Sequence, residues 1–390
     1  MILVVGGGLT GLRAALTIQE SGQQVHLVEA QPYAGGRLSS QVIDGFTIDR
    51  GFQVINPGYS EFQSLDIHTY FHPISAGAVA KFANDSLFFG DPRREVRSII
   101  RALPRITQEP KPFFGLLRGI LLSTIHNGES ADQFLQRIGV SGEIYSSLIE
   151  PFLRGVFLAP LTEVDARFTQ RVLRSLYRRV PGLPDGGVQA LVQELQNRVK
   201  SIQTGERVEE ISRSGRGFTV KTTNATFSAR KVIIATDYTH AKFFSKSLPE
   251  VSFARSTAWY FTLEKQLPQQ HRLHVASLGS GPVVTAIDIA SVVPSYSPDG
   301  RGLLSVTTLE KSAESEVRAH LRGIYGEQID GELLTRIDIE NALPIIPPGG
   351  KRTGILDDEG LIFAGDYLTE PSQNGALLSG RLAGESVINN

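Results

Sequence analysis

The chain has 390 residues, 41% of them hydrophobic, and a formal net charge of −1. This length and apolar content support large buried cores in two domains, and the near-neutral charge argues against nucleic acid as the main partner. Cysteine is absent, which excludes disulfides, a thiolate metal site, a catalytic thiol and a cysteinyl cofactor link.

The chain opens on Ile2-Leu3-Val4-Val5, an all-apolar run that reads as a parallel strand covered on both faces. It lacks the basic n-region and small-residue cleavage site of a secretory signal. No apolar run is long enough to span a bilayer. The expectation is a cytoplasmic chain that begins directly in its first strand. Gly6, Gly8 and Gly11 follow, with Leu9 and Thr10 between them, at the head of a helix reaching Glu20. In this spacing Gly6 makes the tight turn, Gly8 lets backbone approach a pyrophosphate, and Gly11 lets helix pack on strand. The helix N-terminus then offers free N–H groups and the positive end of its dipole to phosphate. A second strand covers Gln24 to Val28, with Glu29 and Ala30 at its end. Glu29 stands eighteen residues after Gly11, close to the spacing of an acid that bonds a ribose hydroxyl. Strand, triplet, helix, strand and acid in this order predict a dinucleotide-binding unit.

Ala34-Gly35-Gly36-Arg37-Leu38 comes next, and an arginine here suits phosphate oxygens. A strand follows at 46–55, carrying Arg50, Gly51, Phe52 and Gln53. Arg93, Arg94, Arg97, Arg101 and Arg105 recur along a helical stretch and predict one basic face, which reads as solvated or as an anionic-lipid or acidic-substrate patch. The run Phe113–Leu122 is too short to cross a membrane. It reads first as buried helical core. Docking at a membrane surface through 93–122 is the alternative that the basic neighbour keeps open. Two histidine pairs, His68/His72 and His271/His274, lack a third ligand at suitable spacing, so no metal site is assigned. Strands are expected at Val208 onward, at a hairpin 218–229, and at Lys231–Ala235; Ser256–Leu263 alternates as a strand whose Trp259 and Tyr260 are read as core. Near the end, Leu361–Ala364 is a buried strand running into Gly365-Asp366, then Gln373-Asn374-Gly375-Ala376 opens a helix rich in small residues.

Three separated blocks, Gly6–Arg37, Gln203–Asp237 and Leu361–Gly384, resemble in order the amine oxidase, phytoene desaturase and protoporphyrinogen oxidase superfamily of flavoproteins. The segments Pro151–Phe157, Leu183–Leu191 and Asn341–Pro344 resemble it too. The resemblance implies an α/β fold: a doubly wound Rossmann-like FAD-binding domain at 1–57, 173–240 and 345–390, and a discontinuous α+β substrate-binding domain at 58–172 and 241–344. It implies FAD as cofactor, with Gly36 and Arg37 by the pyrophosphate, Val208 at adenine and Gly365-Asp366 at the ribityl–phosphate region. Gln373 and Asn374 would begin the helix aimed at the flavin ring. Arg50, Gly51, Phe52 and Gln53 would neighbour that ring, and Phe52 and Gln53 are the candidates nearest catalysis. No catalytic base is named.

Amine oxidases of this superfamily carry a tyrosine near the position of Ser372, and this chain does not. The reading therefore favours a dehydrogenase or desaturase that moves hydride from a lipophilic or conjugated small molecule, with oxygen or a quinone as acceptor. The alternatives are a peroxide-releasing amine oxidase and a prenyl-binding escort protein of the same fold. Retention of Gly6, Gly8, Gly11, Glu29, Arg37 and Asp366 argues against the escort.

Overall fold

The computed structural model describes residues 1–82, 85–267, 271–326, 329 and 331–388. Ile2–Val5 is the centre of a six-stranded sheet, paired in parallel with Val25–Glu29 on one side and Lys231–Ile234 on the other. Ile202–Thr204 extends the sheet beyond Val25–Glu29, and Leu361–Ala364 extends it beyond Lys231–Ile234, both in parallel. Ile355–Asp358 closes the edge as an antiparallel hairpin partner. The order of connections reverses at the first strand, which leaves a crevice at its carboxyl end. All four residues of that strand are buried, as a run covered on both faces requires.

Helices cover the sheet. Leu9–Glu20 and the C-terminal Gln373–Ile388 pack directly on one another. Small residues allow it: an added Cβ at Gly380 would overlap the carbonyl oxygen of Thr10, and one at Gly384 would stand 2.7 Å from Thr17 Cβ. The expected hairpin at 218–229 forms, with Val208–Ser214 as a third antiparallel strand.

A seven-stranded sheet makes the second layer. Its order is Glu332–Pro344, Phe253–Leu263, Gly302–Thr308, Val283–Asp288, Leu273–Val275, Gly77–Lys81 and Ser86–Gly90. All neighbours are antiparallel except Leu273–Val275 with Gly77–Lys81, where two distant parts of the chain join. Trp259 and Tyr260 are fully buried on opposite faces of this sheet, as alternation dictates.

Helices between 96 and 178 flank this layer. Two expectations change here. Arg93 and Arg94 precede the helix Val96–Gln108 and bond Asp91 at 2.6 and 3.1 Å, while Arg105 pairs with Glu143. The single basic face of five arginines thus reduces to Arg97 and Arg101. The apolar run is not wholly core either: in the helix Pro110–Leu121, Gly115, Gly119 and Ile120 are buried, whereas Phe114, Leu117, Leu121 and the following Leu122 are exposed. Periodicity gives a helix two faces but does not say which one finds a partner.

Candidate functional site

The crevice at the end of the first strand is built from the glycine turn. Gly6 has φ +107°, and an added Cβ would sit 2.6 Å from the Ala235 carbonyl oxygen, so only glycine fits. At Gly11 a Cβ would overlap the Gly6 carbonyl oxygen, so the helix presses on the turn. Gly8 behaves differently. It stands at the N-terminus of Leu9–Glu20 with φ −74°, and nothing lies within 4 Å of the Cβ position. No side chain caps this helix, and its first turn holds no acid. The N–H groups at Leu9, Thr10 and Gly11 therefore head an open, electropositive end.

Glu29 closes the turn from the next strand. Its Oε2 accepts from the Gly7 N–H at 2.6 Å and its Oε1 from the Gln31 N–H at 2.8 Å, with Ala30 half-buried between. The Gly35 N–H donates to the Gly7 carbonyl at 2.9 Å, and this lays Gly36 against Gly8, 3.6 Å from its added Cβ to Gly8 Cα. Arg37 then reaches across the crevice. Its Nη2 meets Asp366 Oδ1 at 2.6 Å and its Nη1 donates to the Ala342 carbonyl at 3.1 Å. Asp366 is buried and Arg37 partly open to solvent. Gly365, on the same strand end, is held by Ser379 Oγ at 2.9 Å and lies under the ring of Tyr367, which overlaps the space of any Cβ. Val208 is half-buried on the core cluster that includes Leu3, Val5 and Val28 of the first sheet.

The strand after Arg37 bends back beside it. Gly51 has φ +92°, and a Cβ there would meet Ile339 Cδ1 at 2.8 Å. Arg50 is exposed and Phe52 half-buried in the cluster with Tyr260. Gln53 Nε2 donates to the carbonyls of Arg37 at 2.8 Å and Arg50 at 3.0 Å. Both amide hydrogens are thus used on backbone, and Gln53 is a brace with only its oxygen left for a ligand. Gln373 Nε2 donates to the Val54 carbonyl at 3.2 Å, and its Oε1 is buried without a partner. Asn374 faces elsewhere: its Oδ1 accepts from the Glu61 N–H at 3.1 Å. Ser372 caps the C-terminal helix, its Oγ accepting from the Gly375 N–H at 3.0 Å. Tyr367 is buried, its ring edge-on to Tyr238.

Two further residues of this site lie outside the cofactor and ring candidates read from the sequence, although Asp49 opens the Asp-x-Gly of the ring-side strand. Asp49 is buried and its carboxylate accepts from Ser40 Oγ at 2.6 Å, Val188 N–H at 3.0 Å and Tyr296 Oη at 2.8 Å, while Tyr260 Oη donates to its carbonyl oxygen at 2.8 Å. Burial pushes its carboxyl up to about 6 despite these three donors. Asp49 ties the ring-side strand to the re-entrant segment at Val188 and to the seven-stranded sheet. Arg352 donates to the carbonyls of Tyr367 and Ile345, both at 3.1 Å, with its Nε buried and unpartnered. Burial pulls its guanidinium below the ordinary range, against the field of nearby Asp366. A lone Arg in a Pro-Gly loop gave no signal of this.

The crevice fits a dinucleotide diphosphate. Space is open where a Gly8 side chain would stand, the helix end beside it is uncapped, Arg37 borders it, and Gln373 Oε1 is an acceptor awaiting a donor.

The profile described as flavin containing amine oxidoreductase matches residues 9–388. Coproporphyrinogen III oxidase of Bacillus subtilis is 22% identical over 311 residues, 65% of this chain and 63% of that protein. Carotenoid 3,4-desaturase of Haloarcula japonica is 25% identical over 295 residues, 62% of this chain and 56% of that protein. The chain thus aligns with under two thirds of the length of either relative. An oxidoreductase structure from Methanosarcina mazei superposes with a TM-score of 0.75 at 16% identity, covering 100% of both chains, which shows the shared fold. From the match along nearly its whole length, the chain belongs to the flavin-containing amine oxidoreductase family.

Proposed function

We propose that this protein binds FAD along the crevice and oxidises an apolar or conjugated small molecule by hydride removal. The observation that carries the cofactor is the Gly8 position, open to space at an uncapped helix end while Gly6 and Gly11 on either side are closed against backbone oxygens. Gly8, Leu9, Thr10 and Gly11 hold the diphosphate by backbone N–H groups, on the turn made by Gly6, whose own N–H donates to the Val28 carbonyl at 2.8 Å. Glu29 beside Ala30 takes the ribose hydroxyls, Gly36 and Arg37 border the phosphates, and Val208 meets adenine. Gly365 and Asp366 take the ribityl side, with Arg37 shared between Asp366 and phosphate. Gln373 Oε1 accepts from the ring, and Asn374 holds the helix start in place through Glu61. When bound, FAD supplies the ring that accepts hydride.

The chain's own part is to position and to exclude water. Phe52 and Val54 are half-buried apolar side chains on the same core cluster as Phe152, Leu334 and Ile337. These side chains support an apolar substrate. The turn before the C-terminal helix holds Ser372 as a cap where an aromatic cage wall would stand, which supports the dehydrogenase reading over amine oxidation. The domain division also stands as a proposal: every strand of the six-stranded sheet falls in 1–57, 173–240 or 345–390, and every strand of the seven-stranded sheet in 58–172 or 241–344. The proposed boundary at 172–173 falls within the helix Ala166–Arg178.

The test is the visible spectrum of freshly purified protein and of the supernatant after heat release. A two-banded flavin spectrum with FAD released supports the cofactor. A colourless protein that cannot be reconstituted overturns it. Anaerobic bleaching by polyenes or reduced tetrapyrroles, but not by amines, supports the substrate class; amine-driven peroxide release overturns that part alone.

A further inference from the structure

We infer that the helices Val96–Gln108 and Pro110–Leu121 form a docking face for an anionic lipid surface. Among the described residues, seven of the thirteen exposed large apolar side chains lie between Val96 and Leu122. On the first helix Val96, Ile100 and Leu103 recur at helical spacing, and on the second Phe114, Leu117 and Leu121 do the same. Phe114 is 73% and Leu122 78% exposed. An isolated exposed leucine means little, but a concentration of this kind on two consecutive helices marks an interaction site.

The outward side chains are not the product of loosely placed helices. Ala102 is buried and Ile106 and Phe113 half-buried in the cluster that holds Tyr260 and Phe52. Gly115 is pressed so closely on the next helix that an added Cβ would overlap the carbonyl oxygen of Ile138. The inner face is thus fixed, and the outer face is apolar by composition.

Charge selects the partner. Residues 96–122 hold five basic side chains against one acid, Glu109, in a chain of net charge −1. Of these, Arg97, Arg101, Lys111 and Arg118 are exposed, and Arg105 alone is given to Glu143. Cations flanking an apolar stripe suit an anionic headgroup layer over acyl chains. A hydrophobic protein partner needs no such cationic border. Neither helix is long and apolar enough to cross a bilayer, so the contact is peripheral.

The experiment is sedimentation of the purified full chain with vesicles. One set is an equal mixture of phosphatidylglycerol and phosphatidylcholine, the other phosphatidylcholine alone. Wild type is expected to sediment with the anionic vesicles and at least tenfold more weakly with the neutral ones. Arg97→Gln with Arg101→Gln loses about 25-fold, since each basic residue near an anionic surface contributes roughly fivefold. Phe114→Asp with Leu122→Asp abolishes sedimentation with the thermal midpoint unchanged, because both side chains are exposed. Absence of binding to anionic vesicles, or undiminished binding of the Asp variant, overturns the inference. A concentration-dependent dimer that the Asp variant dissociates, without vesicle binding, also overturns it and gives the face to a second copy. Sedimentation needs neither flavin nor turnover, so its failure is distinct from failure of the FAD reading.

Discussion

Replacing Gly8 with valine separates ligand binding from folding. The backbone at Gly8, φ −74° and ψ −180°, is open to any L residue, and nothing in the protein lies within 4 Å of the new Cβ. The expected cost to the apoprotein is that of a poorer helix N-terminus, about 1 kcal/mol. In a domain this large that lowers the midpoint by roughly 3 °C or less. The isopropyl group, however, fills the space through which phosphate approaches the helix N–H groups. Losing two charge-assisted bonds at roughly 1.5–3 kcal/mol each weakens binding by about 3–6 kcal/mol, a factor on the order of 10² to 10⁴. The assay is titration of the stripped apoprotein with FAD beside thermal unfolding of the same sample; stripping matters because bound ligand itself raises the midpoint. Gly11→Val is the contrast, since its Cβ overlaps the Gly6 carbonyl oxygen and should cost the fold. Full FAD occupancy in Gly8→Val, with unchanged affinity, would refute the placement of the diphosphate.

Other perturbations probe the framework. Gly380→Ala drives a methyl group into the Thr10 carbonyl oxygen and should cost about 1–3 kcal/mol by overpacking, read by calorimetry; an unchanged midpoint would mean the helices slide freely. Asp366→Ala strands Arg37, which is 38% exposed and so partly screened; a loss of roughly 1–2 kcal/mol is expected by denaturant titration, less than for a sealed pair. Asp49 makes stability depend on pH. Its folded carboxyl sits near 6, above the ordinary 3.8, so the fold favours the protonated form. That contribution is complete below about pH 4 and is lost as pH rises through 6, about 3 kcal/mol in all. Asp49→Asn, which keeps an acceptor for Ser40 and Val188, should remove this slope. Denaturation of both proteins at pH 4 and pH 7 measures it, and a difference between them that does not change with pH would count against the assignment.

The parts of this molecule that sequence revealed are those where backbone geometry restricts residue choice. Gly6 and Gly11 are closed against backbone oxygens, so their spacing reports the turn directly. Val25–Glu29 and Leu361–Ala364 announce themselves by apolar runs ending at Glu29 and Gly365-Asp366. Asp49 stands in the Asp-x-Gly of its strand, but its role is not legible there because its partners come from Ser40, Val188 and Tyr296, spread over 247 positions in the case of Tyr296, and each is an ordinary residue alone. Gln53 and Asn374 are expected beside the cofactor from the family resemblance; what that resemblance does not disclose is that their amides also bond backbone groups left over where strands and helices end. The run Phe113–Leu122 showed its helical period but not its partner, which only tertiary packing against Ile138 decides.

The junction of Leu9–Glu20 with Gln373–Ile388 has a consequence for biosynthesis. The helix that offers its N-terminus to phosphate is packed against residues made some 370 positions later, Gly380 on Thr10 and Gly384 on Thr17. Closing a loop that long is entropically costly and slow relative to local helix formation. While the chain emerges from the ribosome, the glycine turn and its strand therefore wait with one flank uncovered until the last segment arrives. Until Gln373–Ile388 is made, Leu9–Glu20 lacks its packing on Gly380 and Gly384, and the phosphate-facing end of the helix is held by the sheet and by Gln189–Arg198.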